Sequence, residues 1–325
     1  MSYPITDKFV IGVASSALFD LSESHQVFVE QGPEKYKQFQ EANINRTLDR
    51  GVAFPFIRRF LSINERFPEQ CPVEVVLLSR NSPETGLRVF RSIQEYGLEI
   101  SRAAFMTGKS PYEYIPAFNC SLFLTSNKED VGQAMAAGFP AGLVMPSDVR
   151  DDEQDVELRV AFDFDGVIAD DEAESVFKQG DLDAFHAYER DRVDVPHNQG
   201  PLANLFRKLA LMRSLEDEQI ADNPGYERIV RIAIVTARSA PAHERVVTTL
   251  KSWGVNVDET FFLGGMTKDR VLSVLQPHIF FDDQLTHLES VGGNIPMVHV
   301  PFGVANSDSS LVRHLGHLSR NRRSA

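Results

Sequence analysis

The chain has 325 residues, of which 42% are hydrophobic and 24% charged, a composition that suits two ordinary globular domains and excludes fibrous and disordered classes. The net charge is −13 and no Lys/Arg run occurs, which argues against polymeric nucleic acid as a partner. Any small bound anion then needs a metal or placed cations. The two cysteines, Cys71 and Cys120, have no metal-ligand spacing and fit buried thiols in a reducing compartment. No apolar run is long enough to span a bilayer, and residues 1–13 lack a signal-peptide pattern. A cytoplasmic protein with no membrane partner is the expectation.

In chain order, a strand-like run at 10–20 (VIGVASSALFD) is followed by a long helical stretch at 23–67 that contains GVAFPFIRRF at 51–60. An apolar strand, a polar turn and an amphipathic helix begin at Val73, and FMTGKSP (105–111) and CSLFLTSN (120–127) follow. The acidic, aperiodic stretch 146–157 reads as a linker. The same succession then begins again: LRVAFDFD at 158–165, GPLANLFRKL at 200–209, a strand-turn-helix unit from Arg231, FLGGMTKD at 262–269 and HIFFDDQ at 278–284. An internal repeat is therefore expected, with an insertion in the second copy near 211–226. Strands alternating with helices predict an α/β fold of two tandem Rossmann-like parallel-sheet domains, 1–150 and 151–325, with ligands at the carboxyl ends of the strands.

The segment after the first strand of each half is expected to be a helical cap, placed around 171–226 in the second. It brings Phe177, Phe185, His186, Tyr188 and His197, which either stack on a base or pack the cap's own core; Phe177 and His186 are taken as substrate-binding candidates. The acidic residues Asp170, Asp171, Glu172 and Glu174 are expected to charge a helix N-terminus.

The chemistry concentrates where a buried strand ends in Asp163-Phe164-Asp165-Gly166. Alternation places both carboxylates on one side and Gly166 permits a sharp turn, so the pair can hold one Mg²⁺. This run resembles the first motif of the haloacid-dehalogenase-like hydrolases, which implies Asp163 as nucleophile and Asp165 as general acid and base. The later motifs of that superfamily are matched in order by Thr236, Lys268 and the pair Asp282 and Asp283. The resemblance implies that Thr236 and Lys268 contact the phosphoryl group and that Asp282 and Asp283 join Asp163 and Asp165 around the metal. Ala237 and Arg238, on the Thr236 loop, are added as substrate-binding positions, Arg238 having a surface salt bridge as its alternative fate.

Flanking stretches narrow the resemblance. ALFDLSE (17–23), VEQGPEKY (29–36), GVAFPF (51–56), MTGKSP (106–111), IVTARSA (234–240), LKSWG (250–254) and QPHIFFDDQ (276–284) are similar to the cytosolic type-I 5′-nucleotidases. That implies a nucleoside 5′-monophosphate substrate, Mg²⁺ and hydrolysis through an aspartyl phosphate. A phosphatase for sugar phosphates or other monoesters, a non-catalytic nucleotide sensor and phosphoryl transfer to an acceptor nucleoside are the alternatives, and a homo-oligomer is left open. One departure is Phe164, where a small Gly is expected.

In the first half Asp20, Ser79 and Lys109 are matched to Asp163, Thr236 and Lys268. Ser22 replaces Asp165, and Thr125 and Ser126 replace the acidic pair, so this half is expected to be catalytically dead and to pack against the other. Binding of an effector phosphate through Ser79, Arg80, Asn81 and Lys109 is its alternative role.

Overall fold

Each long apolar run of the sequence is a strand buried on both faces, as a parallel sheet covered by helices requires. The structure, a computed structural model, describes residues 5–306 apart from 181 and 292. The outer ends of the two expected domains, 1–4 and 307–325, lie outside the described residues. The first half contributes β1 (Phe9–Val13), β2 (Val73–Ser79), β3 (Arg102–Phe105), β4 (Cys120–Thr125) and β5 (Ala141–Val144). The second contributes β6 (Leu158–Phe162), β7 (Val230–Thr236), β8 (Glu259–Phe262), β9 (Ile279–Asp282) and β10 (Met297–His299).

The helices between them are α1 (Ser15–Leu18), α2 (Ser22–Gln31), α3 (Pro33–Ala42), α4 (Phe54–Arg66), α5 (Pro83–Glu95) and α6 (Lys128–Ala136) in the first half. In the second they are α7 (Glu172–Gln179), α8 (Leu182–Asp191), α9 (Ala203–Asp222), α10 (His243–Ser252), α11 (Asp269–Leu275) and α12 (Leu285–Ser290). Local chemistry fixes several starts. Ser82 and Thr85 form a reciprocal capping box before Pro83 on α5, and the Asn127 side chain accepts from the N–H groups of Glu129 and Asp130 on α6.

All ten strands form one sheet in the order β3-β2-β1-β4-β5-β10-β9-β6-β7-β8, so the architecture is a large, mostly parallel α/β sheet. The two halves have the same internal order, and every pairing is parallel except the seam, where β5 and β10 run antiparallel through Val144↔Val298 and Leu143↔His299. Gly142 permits that seam, because a Cβ there would lie 2.3 Å from Val298 Cγ1. On one face of the sheet a single apolar core runs from Phe9 and Phe60 to Phe206 and Phe281, shared by both halves. On the other face the core is divided in two.

α9 is a 20-residue helix that buries Leu205, Phe206, Leu209 and Met212 in the shared core, and its Lys208 Nζ donates to Ser121 Oγ on β4 at 2.8 Å. Its counterpart α4 has 13 residues, so the extra length coincides with the insertion expected at 211–226. Within 171–226, α9 thus belongs to the layer that covers the sheet, whereas α7 and α8 pack on each other and bury few of their residues fully.

The acidic stretch 146–157 is irregular, but it is anchored by buried charge. The Asp151 side chain is 1% exposed and accepts from Arg59 Nη1 at 2.6 Å and Arg58 Nε at 2.9 Å, both on α4. Arg59 is itself 1% exposed, so Asp151→Ala leaves a buried guanidinium without its counter-charge. The expected cost is about 3 kcal/mol of unfolding free energy, measured by urea denaturation; a loss under about 0.5 kcal/mol, the usual size for a surface site, would contradict this anchoring role.

Candidate active site

β6 is flanked by β9 and β7, all parallel, so the residues ending these strands share one edge of the sheet. The chain leaves β6 toward β7 and β8 and returns on the other side at β9, which makes the β6–β9 gap a topological switch point, the usual place for a ligand in such sheets. Asp163 immediately follows β6, Thr236 ends β7 and Asp282 ends β9.

Asp163 is extended (φ −69°, ψ 162°) and its N–H still donates to Phe281 O at 2.8 Å, so the strand holds it to its last atom. The chain then turns back over Phe164–Ile168 through a kink, with Asp165 extended (φ −71°, ψ 137°) and Gly166 at φ +70°. Glycine is required there twice over: by the left-handed backbone, and because a Cβ would stand 2.5 Å from Asp283 Oδ2. Phe164, the departure from the expected small residue, is fully buried, with the His197 ring edge-on at 5.3 Å.

Lys268, just before α11, is 3% exposed and is no surface lysine. Its Nζ lies 2.7 Å from Asp163 Oδ2 and 2.7 Å from Asp282 Oδ2. Burial opposes its charge, but the two carboxylates outweigh burial and hold its pKa above the ordinary lysine range. Asp163 is pushed upward, chiefly by burial, with Lys268 pulling the other way. Asp282 is spoken for on both oxygens, accepting from Gln284 N at 2.8 Å and from Lys268, with His287 Nδ1 at 3.2 Å.

Asp283 is the opposite case. Both of its carboxylate oxygens are buried with no hydrogen-bond partner among the described residues. Burial first, then the charges of Asp163, Asp282 and Glu174, push its pKa up to about 10. Three crowded carboxylates ionised together beside one lysine would carry an excess of buried negative charge, and a divalent cation is the group that would balance it. Ligand atoms of Asp163, Asp282 and His287 lie within 4.8 Å of one another, so this acidic cluster is able to hold a metal ion.

Asp165 points elsewhere. Its two oxygens accept from Arg238 Nε at 2.7 Å and Nη2 at 2.6 Å, a two-pronged pair that occupies the carboxylate. Arg238 is 4% exposed and therefore not the surface salt bridge that was its alternative. Its Nη1 donates to Glu189 on α8, and its guanidinium lies 5.4 Å from the Phe185 ring centroid. Glu189 also accepts from Arg245 Nη1 at 2.9 Å. Burial works against its charge, yet His197 and Arg238 prevail and hold its pKa down to about 2.

The remaining candidates divide. Thr236 is buried and its Oγ1 accepts from Arg238 N at 3.3 Å; Ala237 is exposed on the same loop. Phe177 is 48% exposed and packs edge-on against Phe185, and His186 lies against that same ring. Of these three cap rings, Phe185 is the one that lies over the Arg238 guanidinium. His197 is buried at the base of the cap. Asp170 and Asp171 cap loops, accepting from Asn198 Nδ2 at 2.9 Å and Val304 N at 2.7 Å, whereas Glu174 reaches the site and accepts from Gln284 Nε2 at 3.3 Å.

The first half carries a correction. Ala14 N donates to Leu124 O as Asp163 N donates to Phe281 O, and Asp20 N donates to Asp49 O as Asp170 N donates to Asn198 O. Ala14 therefore stands where Asp163 does, and Asp20 corresponds to Asp170. Lys109 N donates to Met106 O as Met266 N donates to Leu263 O, so Lys109 corresponds to Met266 and not to Lys268. Matching letters misled because acids and lysines recur a few residues away in each loop, and only the backbone bonds fix the register. Ser79 keeps its expected place beside Thr236, as do Thr125 and Ser126 beside the acidic pair, since Asn127 N donates to Thr125 Oγ1 as Gln284 N does to Asp282 Oδ1.

Glu174 was expected only to charge a helix N-terminus, and His287, Glu189 and Arg245 escaped the sequence reading. Only His287 left a trace, five residues beyond Asp282 at the start of a short helix. Glu189 makes a pH-dependent contribution. Its depressed pKa means the stabilisation is complete above the ordinary Glu value of about 4.5 and is lost as pH falls toward about 2. Glu189→Gln should therefore cost about 3 kcal/mol near neutral pH. In urea unfolding across that range, its deficit against wild type should shrink below about pH 4; a deficit independent of pH would refute the assignment.

The 5′-nucleotidase family model matches residues 1–307. The chain is 34% identical to human cytosolic 5′-nucleotidase 1B over 285 residues, 86% of this chain and 46% of that protein, so it spans about half the length of the curated relative it matches. No solved structure matches it. The motifs that resemble cytosolic type-I 5′-nucleotidases are thus supported across nearly the whole length, and the chain belongs to the 5′-nucleotidase family.

Proposed function

We propose that the chain is a Mg²⁺-dependent phosphomonoesterase that hydrolyses nucleoside 5′-monophosphates, with Asp163 as nucleophile. The observation that carries this reading is the Lys268 ammonium, 2.7 Å from both Asp163 and Asp282, beside the unpartnered Asp283 carboxylate. A nucleophile, a cation for the transferring phosphoryl group and an unsatisfied hard ligand then share one buried cluster. The donor set suits a hard divalent ion: Asp163 and Asp283 would hold it, with Asp282 and His287 behind them. When bound, Mg²⁺ supplies charge neutralisation on the phosphoryl oxygens.

In the proposed reaction an Asp163 oxygen attacks phosphorus in line as the P–O5′ bond breaks, and protonated Asp165 gives its proton to the departing O5′. Asp165, now ionised, takes a proton from water as that water attacks the aspartyl phosphate, which frees phosphate and Asp163. Lys268 and Thr236 stabilise the charge spread over the phosphoryl oxygens in both steps. Both Asp165 oxygens are engaged by Arg238, which argues against metal ligation through its side chain.

The repeated strand order supports reading the fold as two haloacid-dehalogenase-like halves that meet near residue 150, the first degenerate and the second catalytic. Helices α7 and α8 are then the catalytic half's cap, and Phe185 is the ring best placed to meet substrate. We take the protein to be cytosolic, in line with its relative's name; no helix among the described residues is long and apolar enough to cross a membrane.

Phosphate release from purine and pyrimidine 5′-monophosphates, 3′-monophosphates and sugar phosphates tests the proposal. Wild type with Mg²⁺ should prefer the 5′-monophosphates, a chelator should abolish release, and Asp163→Asn should lower it by about 10⁴-fold or more. Preference for sugar phosphates would overturn the substrate class, and an active Asp163→Asn would overturn the nucleophile.

A further inference from the structure

We propose that Asp170, Glu172 and His197 form a second metal site, separate from the cluster around Asp163, which takes a divalent transition ion such as Zn²⁺ and fastens the two chain segments on which the cap hinges. This site is independent of the reaction proposed above. Ligand atoms of the three side chains lie within 4.8 Å of one another. Asp170 and Glu172 stand where the chain leaves the catalytic turn for the cap, and His197 where it returns. The two segments are joined by the antiparallel bridge Ala169↔Gln199 and by Asp170 N, which donates to Asn198 O at 3.1 Å. The decisive group is His197. Its side chain is fully buried, yet neither ring nitrogen has a hydrogen-bond partner among the described residues. Nε2 lies 3.4 Å from Glu189 Oε2, but that oxygen already accepts from Arg238 Nη1. An imidazole removed from water without a partner costs free energy that a coordinated ion would recover.

The surrounding charge favours a cation. Arg238 pairs with Asp165 and Glu189, and Arg245 pairs with Glu189 and lies 3.4 Å from Glu172, so with Asp170 four carboxylates face two guanidinium groups. Ionised together they would carry two more negative charges than positive ones, the deficit that one divalent ion fills. The other partners of Asp170, Asn198 Nδ2 at 2.9 Å and Glu172 N at 3.4 Å, are neutral. One imidazole with two carboxylates suits Zn²⁺ or a neighbouring transition ion, whereas Mg²⁺ takes a shell of oxygens.

The first half is an internal control. Asp20 corresponds to Asp170, and Ser22 to Glu172, since Ser22 N donates to Asp20 Oδ1 as Glu172 N does to Asp170 Oδ1. Leu48 N donates to Ser92 Oγ at 2.9 Å as His197 N donates to Thr249 Oγ1 at 3.0 Å, so Leu48 stands where His197 does. Leu48 is 3% exposed and packs in the shared core, and the Ser22 hydroxyl donates to Asp20. The same backbone frame thus accepts an apolar side chain where the second half places an unpartnered imidazole. Packing alone requires neither Glu172 nor His197, and the two are replaced together. A bound ion also has a route to the catalytic turn, because the His197 ring stands edge-on to Phe164, the residue between Asp163 and Asp165, at 5.3 Å.

The test is Zn²⁺ binding to the chelator-treated full chain in excess Mg²⁺, followed by calorimetry and by metal analysis after dialysis. Wild type should retain a Zn²⁺ that excess Mg²⁺ does not displace, and Asp283→Asn, which alters the other cluster, should retain it too. Glu172→Ser should weaken that binding by about tenfold or more and His197→Leu should abolish it, both being copies of the first half. Zn²⁺ should also slow proteolysis within α7 and α8 of wild type by about tenfold or more, and leave His197→Leu unchanged. Without metal, His197→Leu should unfold in urea at or above the wild-type midpoint, as Leu48 implies; if it fails to fold, Glu172→Ser, whose side chain is 40% exposed, decides. No retained Zn²⁺ in wild type, or a retained ion that Asp283→Asn releases and the hinge substitutions do not, would overturn the site. Binding with no change in cap proteolysis would overturn its role at the hinge.

Discussion

The buried ammonium of Lys268 is the interaction on which the site depends. Three carboxylates, those of Asp163, Asp282 and Asp283, are brought to one sheet edge and removed from water, an arrangement that repels itself unless positive charge is supplied. Lys268 supplies one charge to two of them and leaves Asp283 unmatched. The rest of the edge follows from that deficit. Gly166 lets the turn pass close to Asp283, Gln284 and His287 hold Asp282 in place, and the cluster is able to hold a cation.

The same economy distinguishes the two halves, which have one strand order. A sheet edge carries a reactive carboxylate only where the neighbouring strands and loops supply partners for it. In the first half Ala14 stands at the strand tip, and Thr125 and Ser126 replace the acidic pair, so none of these three positions carries a carboxylate. That half instead contributes five strands, the antiparallel seam at Gly142 and half of a shared core. Through that seam β5 pairs with β10, which pairs with β9, which ends in Asp282.

Much of this was legible in the sequence, for physical reasons that can be named. Strands buried on both faces read as continuous apolar runs, so VEVVLLS, RIAIVT and HIFFDD marked the sheet, and acids at the ends of such runs marked the edge. Lys268 and Thr236 were found by their order relative to those strands. The ion-pair network beneath the cap was not legible, because Glu189 on an amphipathic helix has the spacing of a solvated residue and becomes buried only when α8 docks. Register was the other failure. Asp20 and Lys109 resemble catalytic residues by type and approximate spacing, yet one extra residue in the turn after β6 and different loop lengths shift them off the strand tips. Side-chain identity could not reveal that shift; the backbone hydrogen bonds do.

The most direct test of the account is chemical trapping at Asp163. The enzyme is mixed with a nucleoside 5′-monophosphate and Mg²⁺, quenched in acid during turnover and reduced with borohydride, which converts an acyl phosphate to the alcohol. Peptide mass spectrometry then locates the modified residue. The account predicts homoserine at position 163 only when substrate is present. Modification at Asp165 or Asp283 instead, or hydrolysis that proceeds with no trapped residue at any quench time, would contradict it.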